Sequence, residues 1–372
     1  MSKNKQHISI IGFGWGCVSF LKYIDYDKYD ITVFTKDPNF HFTPLLSNQV
    51  NNDYSITQNI EKYKINHETT EVHNFDFQYN EIIVSGDHKY PFQYLLFSHG
   101  GEINTFGITG VTEHCYFLKT SDDAKKIRNE IRSRLQDQDD VHINIVGCGL
   151  TGSEIVGNLL DLQNPKIHIT AIDGLPRPLN IFPPEIGDYT QTFWIENGVQ
   201  THFNYFLKNI DSDELTIQNR EDSQTLKYDI SIWCGGIKSN PLSQIVNREL
   251  GLECRFGIPV NRFLEVNKNV FAIGDCAVFP NRIPLSAQVA YQQGRYLAER
   301  FNNDFRGNNE FQFKDKGKIG YIGFGQSVFS GEIFGRPFTM KGRLCGFLNK
   351  FIHVYNGIDF QQRENIFSNI FW

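Results

Sequence analysis

Two glycine-rich turns, each lying between an apolar strand-like run and a helix-like segment, constrain the fold of this chain more than any other feature. The second turn is complete: Val141–Val146 leads into Gly147, Gly149 and Gly152, and Ser153–Leu160 follows as a helix. In such a turn the first glycine closes a tight bend, the second lets a pyrophosphate approach the backbone, and the third lets the helix pack on the strand. The pattern predicts a dinucleotide-binding fold.

An acidic residue follows this turn at the distance expected for nucleotide binding. The next strand, Ile167–Ile172, ends at Asp173, about 20 residues after Gly152, where an acid can hold a ribose 2′-hydroxyl. Such an acid repels a 2′-phosphate, so we expect NADH to be preferred to NADPH. The alternative is an ordinary strand-end aspartate that closes a turn.

The first turn opens the chain and departs from the pattern at one position. His7–Ile11 is the strand, Gly12 and Gly14 hold the first two glycine positions, and Cys17 stands where the third glycine is expected. The helix and second strand that follow are Val18–Ile24 and Tyr29–Thr35. No equally clear acid ends the second strand, so the residue that would hold a ribose in this first site stays open.

Two such folds in one chain predict two dinucleotides, most economically FAD and the NADH that reduces it. A third segment agrees, because the apolar run Val270–Cys276 contains Asp275, and a short acid at a strand end can accept hydrogen bonds from a flavin's ribityl chain. Asp275 is alternatively a turn residue. The expected fold class is α/β, with two Rossmann-like dinucleotide-binding domains and a small C-terminal α+β unit.

Composition narrows the classes of protein further. The 36 basic and 42 acidic residues give a net charge of −6, without the basic excess of a nucleic-acid binder. No apolar run predicts a membrane span, and the short polar stretch before Ile8 leaves no room for a signal or transit peptide. The seven cysteines are too widely spaced for a disulfide scaffold or a zinc site. We therefore expect no structural metal and a protein of the cytoplasmic side, soluble or peripherally bound to a membrane.

Together the motifs resemble the type II NADH dehydrogenases, the non-proton-pumping NADH:quinone oxidoreductases of the two-dinucleotide flavoprotein superfamily. The resemblance runs nearly from end to end, and its two most specific stretches are Gly12–Gly16 and Ala287–Gly294. The other matching stretches are 42–46, 104–108, 110–111, 147–154, 232–236, 240–242 and 271–277.

The resemblance implies a set of cofactor-binding residues that spacing alone does not show. Pro44 and Leu45 would lie against the isoalloxazine, and Ala287 would stand at its pyrimidine end. The full set expected at the two cofactors is Gly12, Gly14, Trp15, Gly16, Thr43, Pro44, Leu45, Gly100, Gly147, Gly149, Gly152, Asp173, Gly236, Asp275 and Ala287.

The resemblance also implies three catalytic residues. Glu154 would lie near the nicotinamide and the flavin and handle a proton, Gln288 would stand at the flavin, and Gln292 would face the acceptor. From the residues alone, Glu154 is equally a solvated helix residue favoured by the helix dipole. Gln288 and Gln292 share a helix face, and with Gln293 they are equally plain surface.

The activity implied by the resemblance is transfer of a hydride from NADH to FAD and of two electrons onward to a quinone. Relatives that reduce a disulfide or a sulfide use paired cysteines, which the spacing here does not offer. One alternative is a flavin- and NADH-binding redox sensor with little turnover, favoured by Cys17. Another is a reductase of a different acceptor, similar to the ferroptosis-suppressor flavoproteins or the ferredoxin reductases.

The last part of the chain is rich in aromatic and basic residues. Along a predicted helix, apolar side chains recur at helical spacing, namely Leu344, Phe347, Leu348, Phe351 and Tyr355. Such a helix can lie in a membrane interface, or it can pack inward or on a second subunit. We therefore expect this unit to contact a membrane or to form a homodimer. The expected domains are an FAD domain at 1–115 and 255–310, an NADH domain at 116–254, and a C-terminal unit at 311–372.

Overall fold

The structure is a computed structural model and describes residues 5–54 and 56–371. These residues divide into two compact units. The first unit holds residues 5–41, 57–102 and 237–315, and the second holds residues 42–54, 56, 103–236 and 316–371. Residues 42–54 and the C-terminal residues therefore belong to the second unit. The assignment of a cofactor to each expected domain range stays a prediction.

Strands alternate with helices around the two glycine-rich turns, and elsewhere several strands follow one another without a helix between them. In chain order the strands are β1 (Gln6–Ile11), β2 (Tyr29–Thr35), β3 (Asn39–His41), β4 (Thr57–Asn59), β5 (Asn66–Thr69), β6 (Val72–Asp76), β7 (Glu81–Val84), β8 (His88–Pro91), β9 (Tyr94–Phe97), β10 (Gly101–Ile103), β11 (Tyr116–Phe117), β12 (Val141–Val146), β13 (Ile167–Asp173), β14 (Gln200–Phe203), β15 (Phe206–Ile210), β16 (Glu214–Gln218), β17 (Ser223–Lys227), β18 (Ile230–Trp233), β19 (Ile237–Ser239), β20 (Ile258–Pro259), β21 (Glu265–Asn267), β22 (Val270–Ala272), β23 (Ala277–Val278), β24 (Lys318–Gly323), β25 (Gln326–Ile333) and β26 (Arg336–Gly342).

The helices vary from one turn to more than four turns. In chain order they are α1 (Trp15–Tyr23), α2 (Leu46–Gln49), α3 (Val111–His114), α4 (Ser121–Asp137), α5 (Leu150–Asp161), α6 (Pro184–Glu196), α7 (Pro241–Leu250), α8 (Ala287–Asn302), α9 (Arg343–Asn356) and α10 (Phe360–Phe371). Short 3₁₀ turns lie at Thr43–Leu45, Ile60–Lys62 and Gly274–Cys276.

The first unit is built on a six-stranded sheet in the order β21-β22-β9-β1-β2-β5. Its strands run parallel except for β21, which is antiparallel to β22. Helix α1 packs on α8, and a Cβ added to Gly294 would lie 2.2 Å from the carbonyl oxygen of Gly16. The two helix backbones are therefore in direct contact behind the first glycine-rich turn.

The second unit is built on a five-stranded parallel sheet in the order β11-β18-β12-β13-β14. Its central strands are almost wholly buried, as expected where helices cover both faces of a parallel sheet. An antiparallel sheet β24-β25-β26 packs on α5, and its Ile322 and Val328 join the core that contains Ile145 and Ile155. The α/β class predicted from the two turns is confirmed.

The largest differences from the expected element boundaries lie at α1, at α5 and after β22. Helices α1 and α5 begin at Trp15 and Leu150, about one turn earlier than expected, directly after the second glycine of each turn. The apolar run from Val270, expected to be a strand that ends at Gly274 and Asp275, forms a strand only through Ala272, and Gly274 has φ +73° and starts a 3₁₀ turn. Apolar content alone does not distinguish a strand from the tight turn that ends it.

Candidate nucleotide sites and a buried carboxyl group

In the second glycine-rich turn, two glycines are required by packing and one is not. Gly147 has φ +96°, and a Cβ there would lie 2.6 Å from the carbonyl carbon of Cys234. A Cβ on Gly152 would lie 1.9 Å from the carbonyl oxygen of Gly147. A Cβ on Gly149 would meet no described atom within 4 Å. Gly149 therefore leaves the space that the approach of a pyrophosphate to the backbone would need, and its role at a cofactor stays a prediction.

Gly149 is also the N-cap of α5, and it supplies no side-chain cap. The free N–H groups of a helix N-terminus, together with the helix dipole, form a favourable site for an anion. The residues present therefore fit a dinucleotide at this turn.

Asp173 lies at the end of β13, against the same turn. Its Oδ2 accepts a hydrogen bond from the backbone N–H of Cys148 at 2.6 Å, and its Oδ1 accepts one from Leu175 at 2.8 Å. Burial raises the pKa of Asp173, and these two hydrogen bonds oppose that shift. The bond to Leu175 also closes a turn, so the geometry accommodates both interpretations of Asp173. Its role at a ribose stays a prediction.

The first turn repeats this construction in the first unit. Gly12 has φ +96°, and a Cβ there would lie 2.6 Å from the Cα of His99. Gly14 is the N-cap of α1, again without a side-chain cap, and a Cβ there would lie 3.8 Å from the nearest described atom, the carbonyl oxygen of Ser98. Cys17 is fully buried, so a side chain fits at the third position. The first turn therefore also fits a dinucleotide.

The remaining residues expected at a flavin in the first unit lie at the start of α1, at Gly100, in the 3₁₀ turn after β22 and at the start of α8. Trp15 begins α1, and its ring centroid lies 5.0 Å from that of Phe40 and 6.4 Å from that of Tyr291. A Cβ on Gly16 would lie 2.9 Å from Cδ1 of Ile273. Gly100 has φ +69°, Asp275 lies in the 3₁₀ turn that begins at Gly274, and Ala287 begins α8.

Gln293, for which the sequence allowed a place on the plain surface of the helix, is buried. It is 1 % exposed, and its Oε1 accepts a hydrogen bond from the backbone N–H of Gly274 at 2.6 Å, which holds the turn containing Asp275. Its neighbours at helical spacing, Val289 and Leu297, are both buried. That apolar spacing is the signal that could have placed Gln293 on the buried face rather than on the surface.

Gln292 makes two hydrogen bonds to a neighbouring backbone. Its Nε2 donates to the carbonyl oxygen of Lys314 at 2.9 Å, and its Oε1 accepts from the N–H of Lys314 at 3.0 Å. This pairing gives Gln292 a structural role. The expected roles of Gln288 and Gln292 beside a flavin and an acceptor stay predictions.

Three expected flavin-packing residues begin the segment 42–54 in the second unit. Thr43 is exposed, Pro44 is partly buried and Leu45 is buried, and together they form a 3₁₀ turn that leads into α2. Gly236, expected at a cofactor, has φ +139°, and a Cβ there would lie 3.5 Å from the ring of Phe106.

Glu154 lies on α5 just after the first turn of the helix, and it faces α2 and β24. The Ser47 hydroxyl donates a hydrogen bond to Glu154 Oε2 at 3.2 Å, and the backbone N–H of Tyr321 also donates to the carboxyl group. Burial raises the pKa of Glu154 to about 8, although both hydrogen bonds oppose the shift. Glu154 is therefore not a solvated helix residue. It is a partly buried carboxyl group that keeps its proton at neutral pH.

Polar side chains fix the segment 42–54 around this carboxyl group. Asn48 Nδ2 donates to Oδ1 of Asn158, one turn after Glu154 on α5, at 3.1 Å. From α4, the Arg128 guanidinium donates to the carbonyl oxygens of Gln49 and Asn52, at 2.7 and 2.8 Å, and pairs with the carboxylate of Asp53.

Arg128 is only 5 % exposed, which the sequence analysis did not predict. Arg128 is one helical turn from Ala124 and from Ile131, which are both buried on α4, and this spacing could have placed it on the buried face of the helix.

The C-terminal helix α9 exposes the apolar stripe that the sequence predicts. Leu344 is 73 % exposed and Tyr355 is 70 % exposed, and the stripe is completed by Phe347, Leu348 and Phe351. The buried face of α9 carries Cys345, Asn349 and His353 instead. In residues 5–54 and 56–371, no helix combines the length and the apolar character needed to cross a membrane.

This chain belongs to the pyridine nucleotide-disulphide oxidoreductase family, whose model matches residues 6–294. A probable mitochondrial NADH-ubiquinone oxidoreductase of Schizosaccharomyces pombe is 24 % identical over 98 % of this chain and 81 % of its own length. A type II NADH:quinone oxidoreductase of Staphylococcus saprophyticus is 23 % identical, over 95 % of both chains. A second S. pombe relative is 28 % identical, and this chain spans 63 % of that relative's length.

Among solved structures, NDH2 from Plasmodium falciparum in complex with NADH superimposes with a TM-score of 0.90 at 23 % identity, covering 98 % of this chain and 97 % of that chain. The predicted resemblance to the type II NADH dehydrogenases is confirmed by these comparisons.

Proposed function

We propose that this protein is an FAD-dependent NADH dehydrogenase that oxidises NADH and passes two electrons to a quinone. The observation that carries the proposal is the repeated turn: Gly12 and Gly147 are both forced by packing, whereas Gly14 and Gly149 both leave a helix N-terminus accessible. Two anion-binding helix N-termini in one chain fit two dinucleotides. The names of the relatives support a quinone as the acceptor.

Each of the two glycine-rich turns would bind a different dinucleotide. The first turn would receive the pyrophosphate of FAD at Gly14, and the second that of NADH at Gly149. Asp173 would accept hydrogen bonds from the adenine ribose of NADH. FAD, when bound, supplies the chemistry of accepting a hydride and releasing two electrons. The other residues proposed to contact FAD are Trp15, Gly16, Thr43, Pro44, Leu45, Gly100, Asp275 and Ala287, and Gly236 is proposed to contact NADH.

Glu154 would handle a proton of the quinone reaction, since reduction of a quinone to a quinol takes up two protons. A pKa of about 8 means that its carboxyl group carries a proton at neutral pH and can release it under mild conditions. Once the proton has left, the Ser47 hydroxyl and the Tyr321 N–H stabilise the carboxylate through their hydrogen bonds. Gln288 is proposed to stand at the flavin, and Gln292 is proposed to face the acceptor.

A quinone acceptor dissolved in a membrane would favour peripheral membrane contact. The exposed stripe on α9, which includes Leu344 and Phe347, lies beside the exposed cation of Arg343. Aromatic and basic side chains on one amphipathic helix favour an anionic membrane interface. We therefore include a membrane-contact role for α9 in the proposal, with a homodimer contact as the competing use of the same stripe.

The experiment that tests the function uses a glycine whose replacement should not disturb the fold. Gly149→Ala adds a Cβ with no described atom within 4 Å, at a residue whose φ is −67°. Purified wild-type protein should oxidise NADH with a short-chain quinone, and Gly149→Ala should fold normally but show a raised KM for NADH. The matched variant Gly14→Ala should instead weaken flavin retention. A flavin-loaded wild-type protein that fails to oxidise NADH would refute the proposal.

A further inference from the structure

Phe206 is an aromatic residue whose exposure is not explained by the protein's own packing. It is 62 % exposed and begins β15 in the second unit. The next residue, Leu207, is buried in a small apolar core, so the strand turns Leu207 inward and Phe206 outward. Phe206 therefore presents its ring to solvent at a position that the strand fixes.

The ring of Phe206 rests on Gly174, the residue that follows Asp173. A Cβ added to Gly174 would lie 2.2 Å from Cε1 and 2.5 Å from Cδ1 of that ring. Glycine is therefore the only residue that allows this contact without movement of the ring. Only Gly174, which has no side chain, separates the exposed ring of Phe206 from Asp173, the acid expected at the ribose.

Backbone hydrogen bonds fix the two segments together. The N–H of Tyr205 donates to the carbonyl oxygen of Asp173 at 3.2 Å, and the N–H of Asn204 donates to that of Leu175 at 3.0 Å. Strands β13 and β14 are parallel neighbours, with Asp173 in register with Phe203. Phe206 is therefore held beside Asp173 by the sheet and by the loop that follows it.

Both residues lie at the carboxyl end of the parallel sheet, where ligands of open α/β sheets bind. Leu175, 51 % exposed, adds a second apolar side chain next to the acid. If Asp173 holds the adenine ribose, the base attached to that ribose must lie within a few ångströms, and a base stacks readily on an aromatic ring. We propose that Phe206 is the residue on which the adenine of NADH stacks; this inference rests on the proposed NADH site.

The test compares two hydride donors that differ only in the adenosine half. Reduced nicotinamide mononucleotide has the reactive ring but no adenine. Phe206→Ala should raise KM for NADH about tenfold, the usual scale for loss of a base–aromatic stack, and should leave KM for reduced nicotinamide mononucleotide unchanged. Phe206→Trp should restore the wild-type KM for NADH. Phe334→Ala, at another exposed phenylalanine of the same unit, is the matched control and should change neither constant.

Binding of ADP-ribose, measured by calorimetry, distinguishes a failure of the Phe206 inference from a failure of the proposed function. Wild-type protein should bind ADP-ribose, and Phe206→Ala should bind it about tenfold more weakly. Two results would overturn the role of Phe206 and leave the proposed function standing. One is equal affinity of the wild-type protein and Phe206→Ala for ADP-ribose, and the other is an equal rise in KM for NADH and for reduced nicotinamide mononucleotide. If the wild-type protein binds neither ADP-ribose nor NADH, both the inference and the proposed function are overturned.

Discussion

The hydroxyl of Ser47 donates a hydrogen bond to Glu154 Oε2 at 3.2 Å, although the two residues lie more than a hundred positions apart in the sequence. This bond favours the ionised carboxylate, whereas burial favours the protonated acid and prevails, so the pKa of Glu154 is about 8. Within the proposed function, the pair therefore sets the pH at which the enzyme holds its proton.

Replacement of Glu154 by Gln removes the titrating group while keeping its size. In the wild-type protein the carboxyl group is protonated below its pKa, so kcat for quinone reduction should be constant near neutral pH and should fall as the pH rises through about 8. Glu154→Gln should lower kcat by about 100-fold or more and should lack that alkaline limb. A pH–rate profile with a short-chain quinone measures both effects, and an unchanged limb in the variant would exclude Glu154 as its source.

Ser47→Ala should move the alkaline limb of the pH–rate profile, whereas Glu154→Gln should remove it. Ser47→Ala removes a hydrogen bond that lowers the pKa of Glu154, so the alkaline limb should move to higher pH while kcat at neutral pH is largely kept. Asn48→Ala is the matched variant, because Asn48 forms a hydrogen bond with Asn158 rather than with Glu154. Its kcat should fall at the same alkaline pH as that of the wild-type protein.

Arg128 should stabilise the fold far more than an ordinary helix arginine does. Arg128→Ala leaves the carbonyl oxygen of the buried Gln49 without this donor and also removes the hydrogen bond to Asn52, which should lower the free energy of unfolding by about 1–3 kcal/mol. Arg132→Ala, at an exposed position on the same helix, should change it by about 0.5 kcal/mol or less. Urea unfolding of the three proteins measures the difference, and equal effects of the two substitutions would contradict the anchoring role of Arg128.

Asp173 should determine the choice between the two nicotinamide cofactors. The wild-type protein should use NADH well and NADPH poorly, because the carboxylate of Asp173 repels a 2′-phosphate. Asp173→Ala should lower kcat/KM for NADH by about tenfold or more and remove most of the preference for NADH. Steady-state kinetics with both cofactors decide the point, and a wild-type protein that uses both equally would contradict this role.

Flotation with vesicles tests the exposed stripe on α9. Wild-type protein should rise with vesicles of phosphatidylcholine and phosphatidylglycerol, and a Leu344→Ser, Phe347→Ser variant should remain at the bottom. Phe256→Ser, at an exposed phenylalanine of the first unit, should float like the wild type. If the stripe variant floats normally but changes from dimer to monomer in size-exclusion chromatography, the stripe is a subunit contact instead.

The parts of the fold that follow from local sequence were predicted well. Strands β2 and β12 have the predicted bounds, and β13 differs only by including Asp173, because β-branched and apolar runs that end at glycine or a turn leave little choice of structure. The forced glycines at Gly12 and Gly147 were predicted for the same reason: a tight turn at a strand end tolerates few residues.

The features that the sequence analysis missed depend on contacts distant in sequence. Arg128 resembles any charged residue of an amphipathic helix until the segment that contains Gln49 lies against it. Gln292 and Gln293 are neighbours of one residue type, yet one pairs with the backbone of Lys314 and the other holds Gly274. Local periodicity can assign such residues to a helix face, but it does not identify their partners.

The most direct test of the proposed function is an anaerobic titration of the purified protein followed by its absorbance spectrum. The purified protein should be yellow, with the spectrum of bound oxidised flavin, and this spectrum should be bleached by about one equivalent of NADH and restored by a short-chain quinone. A colourless protein that takes up no FAD, or a flavin spectrum unchanged by excess NADH, would contradict the proposed function.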